Sequence, residues 1–168
     1  MKCSNCGKEM KKTKGEYLYK ESGLDNVTLK NFPQYRCVCG ETLLGIKNIE
    51  SLHRDIASIL TKKKFPLTGK EIRFIRKEMG LRAKELAEIL GVTPVTVSRW
   101  ENDTEKPEIS KDKFIRLFYI QMLQEKCKEV IKGSFENLRA SMEKQYRPME
   151  IKIPTKKYLN SLKVPACL

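Results

Sequence analysis

Histidine and tryptophan each occur once in the 168-residue chain, as His53 and Trp100. With a single imidazole and no Ser/His/Asp or Cys/His arrangement carrying a placed base, an enzymatic reading such as a zinc-dependent nuclease or a thiol oxidoreductase has little to rest on. No apolar run reaches the ~18 residues that a membrane span needs, and the opening MKCSNCGKEM has no apolar core of a secretory signal. These absences lead to the expectation of a cytoplasmic protein without a membrane partner, in a compartment where thiols stay reduced and a disulfide framework is disfavoured. Acidic residues are also short. Lys and Arg total 34 against 21 Asp and Glu, a formal net charge of +13, which exceeds what solubility requires and favours a polyanionic partner such as nucleic acid.

What the chain does have is cysteine in pairs. Cys3 and Cys6 bracket two residues before Gly7, and Cys37 and Cys39 bracket one before Gly40. Four thiolates on one Zn²⁺ at ~2.3 Å need two short turns and a scaffold that brings them together. The period-2 stretch EYLYKESGLDNVTLKNFP supplies that scaffold as a β-hairpin, with Tyr17 and Tyr19 on one strand, Val27 and Leu29 on the facing one, and SGLDN as the turn. The glycines permit positive φ, and Lys2, Lys8, Lys11, Lys12, Lys14 and Arg36 offset the charge of a four-thiolate centre. Free cysteines and a redox dithiol are the competing readings, although a redox pair belongs on a βα turn and has no need of the second pair. With four protein ligands the metal is structural, and zinc is the expected ion, though four thiolates also suit iron. His53 is the one rival ligand and reads as a surface or packing residue. Cys127 and Cys167 read as non-ligands.

The fold class expected is α+β: a small zinc-bound β-hairpin domain over residues 1–46, then an amphipathic helix and basic linker over 47–66. An all-α helix-turn-helix domain follows over 67–131, and a C-terminal extension of unknown role over 132–168. Asn48 caps a helix with Ile49, Leu52, Ile56, Ile59 and Leu60 on its apolar stripe, ending at Thr61, and KKKFP marks the domain boundary. TGKE, Thr68 to Glu71, is a capping box for a helix that buries Ile72, Ile75 and Met79 and stops at Gly80. RAKELAEILG is a second short helix with Leu86, Ile89 and Leu90 inward and Ala87 at a close helix contact. VTPVTVSRWEN is a third, with Thr93 as N-cap and Pro94 at its first position. Ser110 is the expected cap of a longer helix carrying Phe114, Ile115, Phe118, Met122, Leu123, Cys127 and Val130 and ended by Gly133. In the extension, FENLRASMEKQY is helix-like and MEIKIP is β-like.

Two short helices joined through Gly91 are the sequence form of a helix-turn-helix, which makes the third helix the recognition helix. Val97 and Trp100 turn inward, leaving Pro94, Val95, Thr96, Ser98, Arg99 and Asn102 outward. Arg99 is the leading base-edge candidate, because a guanidinium matches guanine O6 and N7 bidentately; Pro94, Val95 and Thr96 are the further base-contact candidates. Arg82, Lys84, Ser98, Asn102 and Lys106 are the phosphate candidates, and Lys70, Arg73, Arg76 and Lys77 are further basic residues within reach of phosphates. A homodimer would place two such helices in successive major grooves ~34 Å apart on near-palindromic double-stranded DNA.

CSNCG, FPQYRCVCGE, LRAKELAEILGVTPVTVSRWEN and KPE together resemble the MqsA-type antitoxins, which join a YgiT-type zinc finger to an Xre-type (Cro/C1-like) helix-turn-helix. The resemblance implies a zinc-stabilised N-terminal domain that neutralises a toxin, typically an mRNA-cleaving one, and a dimeric C-terminal domain that represses its own operon. It carries the family's base-reading Arg onto Arg99, whereas Val95 stands where that family has Asn. Arg82 replaces the usual Ser or Thr cap, Asp103 the usual loop Gly, and the second cysteine pair is one residue shorter. A stand-alone transcriptional regulator without a toxin is the alternative.

Overall fold

The computed structural model describes residues 1–126 and 150–154. Over these described residues the chain is α+β: strands β1 (Lys11–Leu18), β2 (Val27–Arg36) and β3 (Thr42–Leu44) lead into five helices. These are α1 (Ile49–Thr61), α2 (Gly69–Glu78), α3 (Ala83–Leu90), α4 (Pro94–Glu101) and α5 (Ile109–Lys126), and a final strand, β4 (Ile151–Pro154), follows. Strands β1, β2 and β3 pair antiparallel in that order, and β4 joins β2 in parallel. The hairpin expected from the alternating stretch is present, but Tyr19 lies beyond the end of β1, followed by a 3-10 turn over Lys20–Ser22 that Gly23 closes at φ +79°. Tyr19 is nonetheless buried, because its N–H donates to the Val27 carbonyl at 2.8 Å and so holds the ring over the core.

Local sequence accounts for most helix ends. Asn48 Oδ1 accepts from Ser51 N at 2.9 Å and starts α1, and Thr68 and Glu71 form the reciprocal capping box of α2. At α3 the box is half made. The Arg82 guanidinium has nothing to accept with, but Glu85 reaches back to the Arg82 N–H at 2.6 Å, and that N–H holds the Glu85 carboxyl below its ordinary range. Four placements are corrected. Helix α5 begins at Ile109, so Ser110 lies inside it and does not cap it; its hydroxyl bonds Glu108. Ile89 and Phe114, placed inward by periodicity, are exposed, as is Ile49 in the first turn of α1. A helix buries only the stripe that its neighbours reach, and these residues fall outside it. Cys127, Val130, Gly133, the FENLRASMEKQY segment and Cys167 lie outside the described residues.

One hydrophobic cluster runs through the chain. It joins Tyr19, Leu24, Val27, Leu29 and Phe32 of the hairpin region and Leu52, Ile56 and Leu60 of α1 to Ile72, Ile75, Leu86, Leu90, Val97, Trp100 and Ile115 of the helical part. The KKKFP stretch, expected as a linker, is held by buried polar groups. Lys63 is fully buried and donates to Glu71 at 2.7 Å. Arg116, also fully buried, donates to the Lys63 carbonyl at 2.5 Å and the Phe65 carbonyl at 2.7 Å, and pairs with Asp112 at 2.7 Å. Asp112 in turn accepts from Leu67 N at 2.7 Å. Burial pushes the Asp112 carboxyl up, against the opposing pull of Arg116, the Leu67 N–H and Lys63. The crossover from α1 to α2 is thereby fixed to α5.

Replacing Arg116 by leucine leaves both carbonyls and the Asp112 carboxylate short of donors in a buried site. The expected cost is about 3–5 kcal/mol, read as a lower denaturant midpoint at unchanged m-value; a loss below about 1 kcal/mol would contradict the clamp.

Candidate metal centre and recognition helix

The first site is built by two backbone turns that share one wiring scheme. In each, the N–H of the leading cysteine donates to the carbonyl of the residue after the glycine: Cys3 to Lys8 at 2.9 Å and Cys37 to Glu41 at 2.9 Å. In each, the glycine N–H returns to the leading cysteine's carbonyl, Gly7 to Cys3 at 2.9 Å and Gly40 to Cys37 at 3.1 Å. The shorter C-x-C turn closes the same bracket with one residue fewer. Its glycine sits at φ +93°, against +72° for Gly7. The register of β2 with β1, Arg36 opposite Lys11, brings the two turns to one end of the sheet.

All four cysteine sulfurs lie within 4.8 Å of one another. Cys3 Sγ is 3.6 Å from Cys39 Sγ, and Cys6 Sγ is 3.3 Å from Cys37 Sγ. A tetrahedral ion with ~2.3 Å bonds to sulfur sets its ligands about 3.8 Å apart, so the donor set fits a structural zinc ion with no position left open. Cys3 and Cys37 are buried beside Met10, with Tyr35 and Leu43 against them; Cys6 and Cys39 face solvent. The thiols do not ionise alike. At Cys39 the Glu41 N–H, followed by the Cys37 thiol, lowers the pKa to about 7. At Cys6 the Lys8 N–H favours the thiolate, but Cys37, desolvation, Cys39 and Cys3 together outweigh it and push the value up to about 12. Four thiolates packed this closely need a cation to neutralise them. His53 takes no part in the cluster. Its ring joins Tyr19 Oη at 3.0 Å and Glu78 Oε1 at 3.1 Å and packs edge-on against Phe74, which makes it a packing residue between hairpin, α1 and α2.

The second site is the helix-turn-helix of α3 and α4. Gly91, at φ +65°, closes α3, and Val92 N donates to Ala87 O at 3.0 Å, with Ala87 fully buried where the helices meet. Thr93 caps α4 by accepting from Thr96 N at 3.1 Å, and Pro94 occupies the first position. Val97 and Trp100 are buried, while Pro94, Val95, Ser98 and Arg99 are exposed and Thr96 is half-buried, its hydroxyl 2.9 Å from that of Thr93. Arg99 lies 3.6 Å from Glu105, a solvent-screened pair that leaves the guanidinium free to exchange partners. Arg82 and Lys84 are exposed on α3, and Lys106 pairs with Asp103 in the loop after α4.

Several basic residues have other work. Arg76 is mostly buried and grips Glu101 through Nε at 2.5 Å and Nη2 at 2.9 Å, with Nη1 on the Leu81 carbonyl at 2.8 Å; the bond to Glu101 also raises its pKa. It is a brace for the turn, which corrects its place among the phosphate candidates. Lys70 is paired with Asp25 of the hairpin loop. Asn102 donates to Ser98 O at 2.9 Å and accepts from Arg73 at 2.8 Å, so its amide is engaged at the end of α4. The buried carboxylate of Glu101, which also accepts from Arg73 at 3.1 Å, braces the turn through two arginines, partners that sequence reading did not name. The one signal available was two arginines one turn apart, Arg73 and Arg76, ahead of an acidic residue beside the tryptophan. Asp103 adopts φ +57°, the left-handed conformation that suits the glycine usual at this position and that Asp tolerates, and its Oδ1 accepts from Gly69 N at 3.0 Å. Burial opposes its charge, but Lys106 and the Gly69 N–H outweigh that and lower its pKa.

A four-thiol cluster fit for a metal ion, ahead of a helix-turn-helix pair, defines a class of two-part proteins. A sequence-family model described as the antitoxin component of bacterial toxin–antitoxin systems, MqsA, matches residues 1–132, and the chain belongs to that family. No curated protein matches it. Among the described residues no helix is long and apolar enough to cross a membrane.

A Cβ added at Gly40 meets nothing within 4 Å, so the cost of a side chain there is torsional. Gly40→Val is expected to lower metal content and thermal stability, by about 1–2 kcal/mol for a β-branched residue at positive φ, with Gly40→Asn much milder. One zinc per chain at wild-type melting temperature in the valine variant, by metal analysis and calorimetry, would count against this turn geometry.

Proposed function

We propose that the chain is a non-enzymatic, zinc-containing repressor of its own operon and the antitoxin partner of a toxin, which it neutralises through its N-terminal half. The observation that carries the DNA-binding half is the exposed row Pro94, Val95, Ser98 and Arg99 on a helix whose opposite face is locked by Val97, Trp100 and Glu101. A recognition helix that cannot rock keeps its base contacts in register. The family supports the toxin, and the four-cysteine set supports zinc as the ion that fastens the N-terminal half.

The mechanism is steric and electrostatic. Exposed Arg82, Lys84 and Lys106 would neutralise phosphates and set position, with Ser98 and Asn102 as hydrogen-bonding neighbours, and Arg99 would read a base edge alongside Pro94, Val95 and Thr96. Binding of Lys106 to phosphate exchanges one exposed ion pair, with Asp103, for another, at small cost. Two copies on a near-palindromic operator would cover a promoter and exclude polymerase. The exposed Ile89 and Phe114, which line one groove with Leu90, Ser110 and Lys111, support contact between copies. A sedimentation mass of one chain, on and off DNA, would remove the dimer from this reading.

Arg99→Ala is expected to lower specific binding by about 1–3 kcal/mol while leaving non-specific binding nearly unchanged; equal losses on both in titrations against operator and scrambled DNA would refute base readout. Lys84→Ala should instead weaken both alike and reduce the salt slope by about one.

The toxin reading is tested separately by co-expressing the chain with the product of its neighbouring small reading frame. Co-purification and restored growth are expected, and a frame whose product is harmless and does not bind would leave a stand-alone regulator.

A further inference from the structure

The family match ends at residue 132. Beyond it, Ile151–Pro154 comes back to the N-terminal sheet as β4, lying parallel to β2 from Val27 opposite Ile151 to Lys30 opposite Pro154. The Ile151 N–H donates to the Asn26 carbonyl at 2.5 Å, and Ile151 is 1% exposed within the main cluster, among Val27, Leu29, Leu52 and Ile56. Strand β4 also packs on α1. A strand outside the family's matched region therefore fills a groove between the β2 edge and α1.

The acceptor edge has defined ends. Strand β1 covers the other side of β2 at Thr28 and Leu29. On the β4 side, Asn31 at φ +59° bends the backbone out of the extended conformation, Pro33 has no N–H, and from Gln34 onward β3 takes the edge. What remains open to a strand is Asn26–Lys30, a short slot with one aliphatic pocket. Its occupant is a four-residue parallel ladder, the weaker pairing mode, and so few residues open at low cost. We propose that this slot is a strand-exchange site: the chain fills it with its own C-terminal strand, and when that strand leaves, the same strand of a second copy, Ile151–Pro154, takes its place. Such a segment gains affinity from main-chain hydrogen bonds and specificity from the pocket that Ile151 occupies. This inference does not depend on the DNA-binding reading.

The test uses the full-length chain and a fluorescent peptide spanning residues 148–155, read by anisotropy. The Ile151→Asp chain, whose strand cannot enter the pocket, is expected to bind the peptide saturably, and the wild-type chain roughly tenfold more weakly or less, because its own strand competes. A peptide carrying Ile151→Asp should bind neither. Equal binding by both chains, or no binding by a variant that keeps its metal and far-UV spectrum, would overturn the proposal. If that variant does not fold, hydrogen exchange on the wild-type chain decides. Amides of Ile151 and Ile153 exchanging at least about tenfold faster than those of the central β1–β2 ladder support an exchangeable strand, and equal protection shows an integral one.

Discussion

Glu71 accepts hydrogen bonds from three separate stretches of the chain: the Thr68 N–H that starts α2, the buried Lys63 ammonium of the crossover, and the Asn26 amide of the hairpin loop. The same Asn26 offers its carbonyl to β4. A carboxylate this deeply buried is tolerable only when fully satisfied, and a buried ion pair of this kind adds little net stability over an apolar substitute. What it supplies is geometry. Any other path for residues 62–67 strands a charge, so the hairpin, the crossover and the helical part have one mutual arrangement.

That arrangement explains why a chain with two recognisable halves has one continuous core. The apolar residues of α1 serve both sides, and His53 ties Tyr19 to Glu78 across the same seam. The four-cysteine cluster at one end of the sheet and the helix pair α3–α4 are thus carried on a common scaffold. Buried polar contacts of Lys63, Arg116 and Asp112 fasten the crossover between the two parts to α2 and α5.

The helix-turn-helix shows the same logic on a smaller scale. Arg76 and Arg73 close on Glu101, Asn102 links Arg73 to Ser98, and Gly69 passes within a Cβ's reach of the Trp100 and Glu101 carbonyls, where an added methyl would lie 2.4 Å from Trp100 O. The exposed face of α4 is chosen by what its hidden face must satisfy.

The cysteine pairs, the caps at Asn48, Thr68 and Thr93, the αL positions at Gly91 and Asp103, and the inward Val97 and Trp100 were legible in the sequence, because each depends on residues within a few positions of one another. Periodicity misassigned Ile89 and Phe114, since a stripe names the apolar side of a helix but not how far its neighbours reach around it. The partners of Lys63, Arg76, Glu101 and Arg116 were hidden for a different reason: a buried charge and a solvated one look alike until the chain is folded. By itself the sequence determined the paired thiols, the starts of α1, α2 and α4 and the family resemblance, all matters of local spacing. Only the tertiary structure decided which charges stay at the surface, which hold the halves together, and that Ile151–Pro154 returns to the first sheet, because each of those requires groups distant in sequence to meet away from water.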